Sequence, residues 1–356
     1  VLSSPLESLP PQAEAARVIA NNVARSRHMV FFRICLSPSL LRLPVPRPAF
    51  CSVMSACTVY GQIGKQSPCD RFVTIPYRAE TLTAERSFSQ SASFVHSAIP
   101  GESMANPEDH AIAARIATQA GALLVDIRER LFAQGADSWT VKDTGDLEAH
   151  RFIVKALQDE YPEDGILSEE GSDDLARLDK ERVWIVDPLD GTREFGEPGR
   201  SDWAVHVALT ENGAPTAGAV ALPAITTTLA TDPPAQIAPP HDGRPRMVVS
   251  RSRPPAAAMI VAEAMGAELL ALGSAGAKAM AVVLGHADIY AHSGGQYEWD
   301  NCAPAAVALA AGLHASRCDG SPLDYNYEDP WLPDLLICRP EFAEDALAAL
   351  RRVIEA

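Results

Sequence analysis

Apolar side chains recur at helical spacing in one part of the chain and at strand spacing in another. Between positions 111 and 131 they return every three or four residues, which predicts a long amphipathic helix, and a weaker pattern predicts a second helix over 146–161. The apolar segments 203–209 and 218–222 flank Asn212-Gly213, a dipeptide typical of tight hairpin turns. These patterns predict two helices followed by an antiparallel pair of strands.

Strands and helices alternate in the remainder of the chain. The pattern predicts strands near 247 and 269, helices near 256, 275 and 304, a strand at 335–338 and a terminal helix from 341. Strands that alternate with helices indicate a layered α/β fold.

One apolar run ends in two carboxylates, Asp187 and Asp190, three residues apart. Carboxylates are hard oxygen ligands that suit Mg²⁺, and extended backbone before the intervening proline lets the Leu189 carbonyl join them. Gly191 permits close approach of the backbone, and a helix beginning at Thr192 would direct free N–H groups at a phosphate. The alternative is an ordinary Asp-Pro turn at the end of a buried strand.

Two other segments supply acidic side chains. A short apolar run ends at Glu169-Glu170, upstream of Asp187 by about the length of a hairpin connection, although adjacent glutamates are also common in solvated loops. Asp300 precedes a predicted helix of small residues over 301–312. That carboxylate can cap the helix or bind metal, and the two roles can coexist.

Glu169-Glu170, the segment 184–192 and Trp299-Asp300 resemble, in order and spacing, the three signatures of the inositol monophosphatase superfamily of Mg²⁺-dependent, lithium-sensitive phosphatases. Within the second segment, Asp-Gly-Thr-Arg-Glu-Phe at 190–195 is similar to the form in CysQ-type 3'(2'),5'-bisphosphate nucleotidases. The resemblance runs from about Pro107 to the C-terminus. It implies the layered αβαβα sandwich of the inositol monophosphatase and fructose-1,6-bisphosphatase type.

The resemblance also implies two Mg²⁺ ions that share one ligand. Glu169, Asp187 and the Leu189 carbonyl would hold the first ion, and Asp187, Asp190 and Asp300 would hold the second. Paired metals activate a water on one side of a phosphoryl group and stabilise the leaving oxygen on the other.

The predicted catalytic group consists of Glu169, Asp146 and Thr192, with Asp146 and Thr192 orienting the attacking water. Asp143 stands where the family carries a threonine, and this departure leaves open whether a third Mg²⁺ binds. As an alternative, Asp146 is the N-cap of the helix that follows it.

Substrate contacts are predicted because a bisphosphate nucleotide carries a second phosphate away from the reacting one. Each candidate has an alternative: Lys278 could be a surface residue on a helix over 275–285, Arg251 could be solvated, and Arg193 could form an ion pair with Glu194 instead of touching substrate. His206 is interpreted as an ordinary strand residue. The candidate donors are Gly191, Thr192, Arg251, Ser274 and Lys278.

The composition of the whole chain argues against nucleic-acid and membrane partners. The formal net charge is −16, and acidic residues outnumber basic ones two to one behind position 103, which argues against a nucleic-acid polymer as partner. The seven cysteines show neither a disulfide framework nor zinc spacing, which favours the reducing cytoplasm. No apolar run is long enough to span a bilayer, so no membrane association is predicted.

The chain is predicted to have three parts. Residues 1–103, rich in Ser, Pro and Arg, are expected to be a disordered or mis-annotated extension that ends just before Met104. Residues 104–240 would form an N-terminal α+β half with the metal-binding loops. Residues 241–356 would form a C-terminal α/β half that contributes Asp300 and substrate contacts.

The resemblance therefore predicts a Mg²⁺-dependent 3'(2'),5'-bisphosphate nucleotidase that hydrolyses 3'-phosphoadenosine 5'-phosphate to AMP and phosphate and recycles the by-product of sulfate activation. The alternatives are an inositol-1-monophosphatase or a fructose-1,6-bisphosphatase on the same metal site, and a non-catalytic nucleotide-binding protein. A homodimer is compatible with this prediction.

Overall fold

The computed structural model describes residues 105–173, 175–240 and 243–354. All of them belong to one compact unit, Ser91–Ala356. The predicted extension 1–103 lies outside the described residues. None of the helices in the described ranges combines the length and the apolar run that crossing a membrane requires.

The first sheet contains five strands in the order in which they follow along the chain. The strands are β1 (Gly165–Ser168), β2 (Arg182–Asp190), β3 (Ala204–Glu211), β4 (Ala214–Leu222) and β5 (Thr227–Ala230), preceded by α1 (Pro107–Ala133) and α2 (Ser138–Glu160), with the short helix α3 (Thr192–Phe195) after β2.

Strands β1 and β2 pair in parallel, and the other neighbours in this sheet pair antiparallel. The sequence spacing suggested a hairpin connection between the strand that ends at Glu169 and the strand that carries Asp187. This expectation is wrong, because β1 and β2 are parallel. The chain crosses back through a short 3-10 turn at Ala176–Asp179 before it enters β2. Because parallel strands end at the same edge, Glu169 after β1 and Asp187 near the end of β2 are brought to one side of the sheet.

The predicted hairpin between β3 and β4 is confirmed. Asn212 and Gly213 adopt positive φ angles of 51° and 84°, the backbone of a two-residue turn of the I′ type.

The helix predicted to begin at 146 begins eight residues earlier. Asp137 is its N-cap, and the Asp137 side chain accepts a hydrogen bond from the Thr140 amide at 2.8 Å. Asp146 is therefore in the interior of α2, and its interpretation as an N-cap is wrong. The first two turns of α2 bury little apolar surface besides Val141, which is why the hydrophobic pattern alone missed them.

The second half of the chain forms the strands β6 (Arg246–Ser250), β7 (Glu268–Leu272), β8 (Ile289–Tyr297), β9 (His314–Ser316) and β10 (Trp331–Cys338), and the helices α4 (Ala256–Met265), α5 (Ala275–Val283), α6 (Glu298–Ala310) and α7 (Ala343–Ile354). The strands make a second sheet in the order β7-β6-β8-β10-β9, in which β6 pairs in parallel with β7 and β8, and β10 pairs antiparallel with β8 and β9.

Three hydrophobic clusters define the layers. One cluster joins α1 and α2 to the outer face of the first sheet, a second places α5 and α6 between the two sheets, and a third joins α4 and α7 to the outer face of the second sheet. The order is helices, sheet, helices, sheet, helices, which confirms the predicted αβαβα sandwich. Cys302, Cys318 and Cys338 are buried free thiols within it.

Arg182 at the start of β2 ties three segments of the first half together. Its guanidinium donates to Asp109 of α1 at 2.8 Å, to Asp164 before β1 at 3.2 Å, and to Glu211 of β3 at 2.9 Å. The side chains of Asp109 and Glu211 are at most 4 % exposed. Removal of the cation therefore leaves buried negative charge without a partner.

We expect Arg182→Met to lower the free energy of unfolding by about 3 kcal/mol or more, because the buried carboxylates lose their cation. Urea denaturation measures this loss. The matched control is Arg151→Met, which removes an exposed ion pair with Glu148 on α2 and should cost less than about 1 kcal/mol. Equal losses in the two variants would contradict this account of the Arg182 cluster.

Candidate metal centre

The end of β2 supplies two of the carboxylates. Asp187 is almost fully buried, and its Oδ1 accepts a hydrogen bond from the Leu189 amide at 3.0 Å. One carboxylate oxygen each from Asp187, Asp190 and Asp300 lies within 4.8 Å of the other two. Asp300, more than a hundred residues further along the chain, therefore meets Asp187 and Asp190 at the junction of the two sheets.

Asp300 reaches this cluster from α6. It is the third residue of that helix, and its Oδ2 accepts a hydrogen bond from the Tyr297 amide at 2.6 Å. The sequence left two roles open for Asp300, helix capping and metal binding. The structure is compatible with both, because one carboxylate accepts the capping hydrogen bond and also lies in the acidic cluster.

Glu169 joins the cluster from the end of β1. Its carboxyl group lies close enough to Asp187 for its charge, after burial, to raise the pKa of Asp187. Glu169 is therefore adjacent to the carboxylate that the sequence predicts as the bridging ligand.

Burial and mutual repulsion raise the pKa values of these carboxyl groups. Burial, with Asp300 and Glu170 nearby, raises the pKa of Glu169 to about 7. Burial, with Asp190 nearby, raises the pKa of Asp300 to about 6, and burial and the neighbouring Glu169 raise the pKa of Asp187 well above its usual value. A buried set of oxygen donors that repel one another fits a divalent cation, which would neutralise them.

Asp190 differs from its neighbours because donors surround it. Its carboxylate accepts hydrogen bonds from the Ser274 hydroxyl at 2.5 Å, the Ala275 amide at 3.1 Å and the Gly276 amide at 2.6 Å. Burial alone would raise its pKa, but His206, Lys278 and the Ser274 hydrogen bond hold it at about 2. Asp190 therefore remains charged while the rest of the cluster is easily protonated.

The N-terminus of α5 consequently holds a protein carboxylate. Ser274 and Lys278, predicted as substrate contacts, both support Asp190 in the structure. Lys278 is 4 % exposed, and its ammonium group donates to the carbonyls of Gly273 at 2.5 Å and Ser274 at 2.7 Å. The surface alternative for Lys278 is wrong, because every residue of α5 is buried.

Arg251 at the end of β6 is engaged by two glutamates. Its guanidinium donates to Glu194 at 2.6 Å and to Glu197 at 2.7 Å. Arg193 pairs with Glu197 at 3.3 Å, so the expected pair between Arg193 and Glu194 is wrong. Glu194 turns inward, where it is 6 % exposed, and links the loop after β2 to the second sheet.

Asp146 lies beside the cluster on α2. The Thr192 hydroxyl is 3.4 Å from Asp146 Oδ1 and 3.1 Å from the Leu189 carbonyl oxygen. Burial, together with the charges of Glu170 and Glu169, raises the pKa of Asp146 to about 7. The predicted pair of Asp146 and Thr192 is thus brought together next to the end of β2.

His206 is a functional candidate that the sequence interpretation missed. Its Nε2 lies 3.1 Å from Asp190 Oδ2, and its Nδ1 lies 2.9 Å from the Trp299 carbonyl oxygen. A Cβ at Gly276 would overlap the His206 ring, so this position requires glycine. His206 lies within β3, as the sequence interpretation had it, but its contact with Asp190 was not foreseen. Pairing of β3 with β2, which sets His206 opposite Asp187, is the signal that the sequence lacked.

Arg128 is a second residue that the sequence did not single out. From α1 its guanidinium donates to the carbonyls of Phe195 at 2.8 Å, Arg200 at 3.0 Å and Glu197 at 2.6 Å, all in the loop after Thr192. An arginine in an amphipathic helix has the appearance of a surface residue, so no sequence pattern marks this role.

The αβαβα layers define a protein of the layered α/β class, with a cluster of buried carboxylates that could hold a metal ion at the junction of the sheets. The model of the inositol monophosphatase family matches residues 105–233 and 246–355. The chain belongs to the inositol monophosphatase family.

Two curated relatives show how similar the chain is to characterised branches of the family. It is 52% identical over 240 residues to the 3'-phosphoadenosine 5'-phosphate phosphatase of Mycobacterium bovis, covering 65% of this chain and 89% of that protein. It is 32% identical over 201 residues to the 3'(2'),5'-bisphosphate nucleotidase CysQ of Escherichia coli K12, covering 52% of this chain and 80% of that protein.

Solved structures agree on the fold. CysQ from Bacteroides thetaiotaomicron superposes with a TM-score of 0.56 at 27% identity, covering 65% of this chain and 97% of that one. SuhB of Mycobacterium tuberculosis gives a TM-score of 0.51 at 23% identity, covering 68% and 95%, and supports the fold alone.

We expect Mg²⁺ to raise the thermal unfolding temperature more at pH 8 than at pH 5.5. Glu169 and Asp300 have folded pKa values of about 7 and about 6, above those of unfolded carboxyls, so the metal-free protein loses stability as pH rises through this window. A cation that binds the ionised carboxylates reverses this loss and competes with protons.

Differential scanning fluorimetry with EDTA-treated protein, with and without Mg²⁺, measures the shift at each pH. Asp187→Asn should abolish the Mg²⁺ shift, whereas Asp159→Asn, which alters an exposed carboxylate paired with Lys155, should retain it. A wild-type shift that does not change with pH would contradict the link to these carboxyl groups.

Proposed function

We propose that this chain is a Mg²⁺-dependent 3'(2'),5'-bisphosphate nucleotidase that hydrolyses 3'-phosphoadenosine 5'-phosphate to AMP and phosphate. The observation that carries the proposal is the 52% identity to a Mycobacterium bovis protein named for this activity. Membership of the family supports a phosphoric monoester hydrolase, and the buried carboxylate cluster supports its metal dependence. The proposal includes recycling of the by-product of sulfate activation.

The proposed metal ligands are those that the sequence predicted. Glu169, Asp187 and the Leu189 carbonyl would hold one Mg²⁺, and Asp187, Asp190 and Asp300 a second. When bound, such a pair of ions supplies Lewis-acid stabilisation of the phosphoryl oxygens and lowers the pKa of a water. Occupancy of a third site near Asp146 remains a prediction.

The residues of the chain itself would orient the attacking water. The Leu189 carbonyl fixes the Thr192 hydroxyl, and this hydroxyl lies close enough to Asp146 to align its carboxyl group. A carboxyl group with a pKa of about 7 is able to accept a proton near neutral pH. The contacts support Asp146 and Thr192 as the pair that orients the attacking water.

The loop after β2 would receive the reacting phosphate. Gly191, with a φ of 84°, turns the backbone so that the amides of Gly191 and Thr192 begin the short helix α3 beside the carboxylate cluster. Arg128 supports the far end of this loop by donating to three of its carbonyl groups. The arrangement keeps Thr192 in place while substrate enters and product leaves.

The contact for the second phosphate is proposed at Arg251. A phosphate there would have to compete with Glu194 and Glu197 for the guanidinium, which is consistent with a site that binds only a strongly charged ligand. For Ser274 and Lys278, their contacts support a role in holding Asp190, and direct contact with substrate stays a prediction. The same holds for a homodimer, a cytoplasmic location and lithium sensitivity.

We expect the full chain to release phosphate from 3'-phosphoadenosine 5'-phosphate with a kcat/KM about tenfold or more above that for inositol 1-phosphate or fructose 1,6-bisphosphate, because inositol 1-phosphate lacks a second phosphate and neither competitor carries a base. Asp187→Asn should lower the rate by about a thousandfold through loss of metal, whereas Asp159→Asn should not change it. A phosphate-release assay with and without EDTA measures both effects. Preference for the inositol or fructose substrate would overturn the nucleotide assignment while leaving the metal centre intact.

A further inference from the structure

An aromatic pair lies at the edge of the carboxylate cluster and has no part in the roles described so far. The rings of Tyr297 and Trp299 are stacked, with centroids 4.7 Å apart and planes inclined by 9°. Tyr297 is 44 % exposed, whereas Trp299 packs against the core between the two sheets. One face of the tyrosine ring is therefore covered by Trp299, and the residue remains open to solvent.

Backbone hydrogen bonds fix the segment that carries this pair. The Trp299 carbonyl accepts a hydrogen bond from His206, and the Tyr297 amide donates to Asp300. On the neighbouring strand Trp331 is the register partner of Tyr297 and lies against Gly295. The exposed tyrosine is thus attached through its own amide to one of the carboxylates of the candidate metal centre.

A ring that is already stacked and anchored loses little conformational freedom when a flat ligand is added to it. Purine bases stack on aromatic side chains through their π faces, whereas a polyhydroxylated ring such as inositol has no such face. A nucleotide whose phosphate lies at Asp300 carries its base one sugar away from that phosphate, and Tyr297 stands three residues before Asp300 and donates its amide to the Asp300 carboxylate.

We propose that Tyr297 is a specificity-determining residue, on whose open face the purine base of the substrate stacks, with Trp299 supporting the opposite face. This inference rests on the proposed nucleotidase function and adds to it the contact that distinguishes a nucleotide from a phosphorylated sugar or inositol. The competing explanation of an exposed aromatic residue is self-association of the chain, which the experiment separates.

The test compares 3'-phosphoadenosine 5'-phosphate with ribose 3,5-bisphosphate, which keeps both phosphates and lacks the base. In Tyr297→Ala the ratio of kcat/KM values for these two substrates should fall by about tenfold, mainly through KM for the nucleotide, whereas Tyr297→Phe should keep the wild-type ratio because the ring remains. Trp139→Ala is the matched control, since Trp139 is a 67 % exposed aromatic residue on α2 outside the site.

Binding of AMP, followed by quenching of tryptophan fluorescence, provides a readout that does not require turnover. If the wild type binds AMP and Tyr297→Ala does not, the base platform stands even when nucleotide hydrolysis is not observed, and only the proposed function fails. If Tyr297→Ala keeps the wild-type ratio and AMP affinity, the platform is overturned while the nucleotidase stands. A change of molar mass in light scattering for Tyr297→Ala, without a change in the ratio, assigns the residue to self-association and also overturns it.

Discussion

The carboxylate of Asp190 is the contact on which the two halves of the structure depend. It ends a strand of the first sheet, yet its hydrogen-bond donors, Ser274, Ala275 and Gly276, begin a helix that packs against the second sheet. His206 extends the connection to the segment that carries Asp300. Loss of this one charge would leave buried donors without an acceptor and would also displace the other carboxylates, so folding and metal binding are coupled at the same atom.

The other carboxylates are placed at a cost in stability. Asp187, Glu169 and Asp300 are buried close to one another, and burial with mutual repulsion raises their pKa values. Such an arrangement is unfavourable for the metal-free chain and becomes favourable when a cation is bound. A divalent cation bound here would relieve the repulsion that the packing of the layers imposes, while Asp190 stays ionised.

Local sequence patterns were sufficient wherever the chemistry lies in one continuous segment. The end of β2 and the αβαβα layers followed from the apolar runs and from the family resemblance, and the turn at Asn212 followed from its dipeptide. The sequence failed where a role depends on a partner from another element. For Lys278 the sequence left a substrate contact and a surface position open, because no local pattern shows that α5 lies between two sheets. Likewise, nothing in the neighbourhood of His206 or Arg128 indicates the carboxylate or the carbonyls that each one contacts.

The proposed metal centre places a pair of divalent cations around Asp187 at the junction of the two sheets. Titration of the metal-free protein with Mn²⁺, followed by electron paramagnetic resonance, tests it directly because two ions on a shared carboxylate couple magnetically. The account predicts two Mn²⁺ per chain with a coupled spectrum, and a single uncoupled ion in Asp300→Asn, since Asp300 belongs to only one of the two proposed ligand sets. Binding of one uncoupled ion to the wild type, or an unchanged spectrum in Asp300→Asn, would contradict the account.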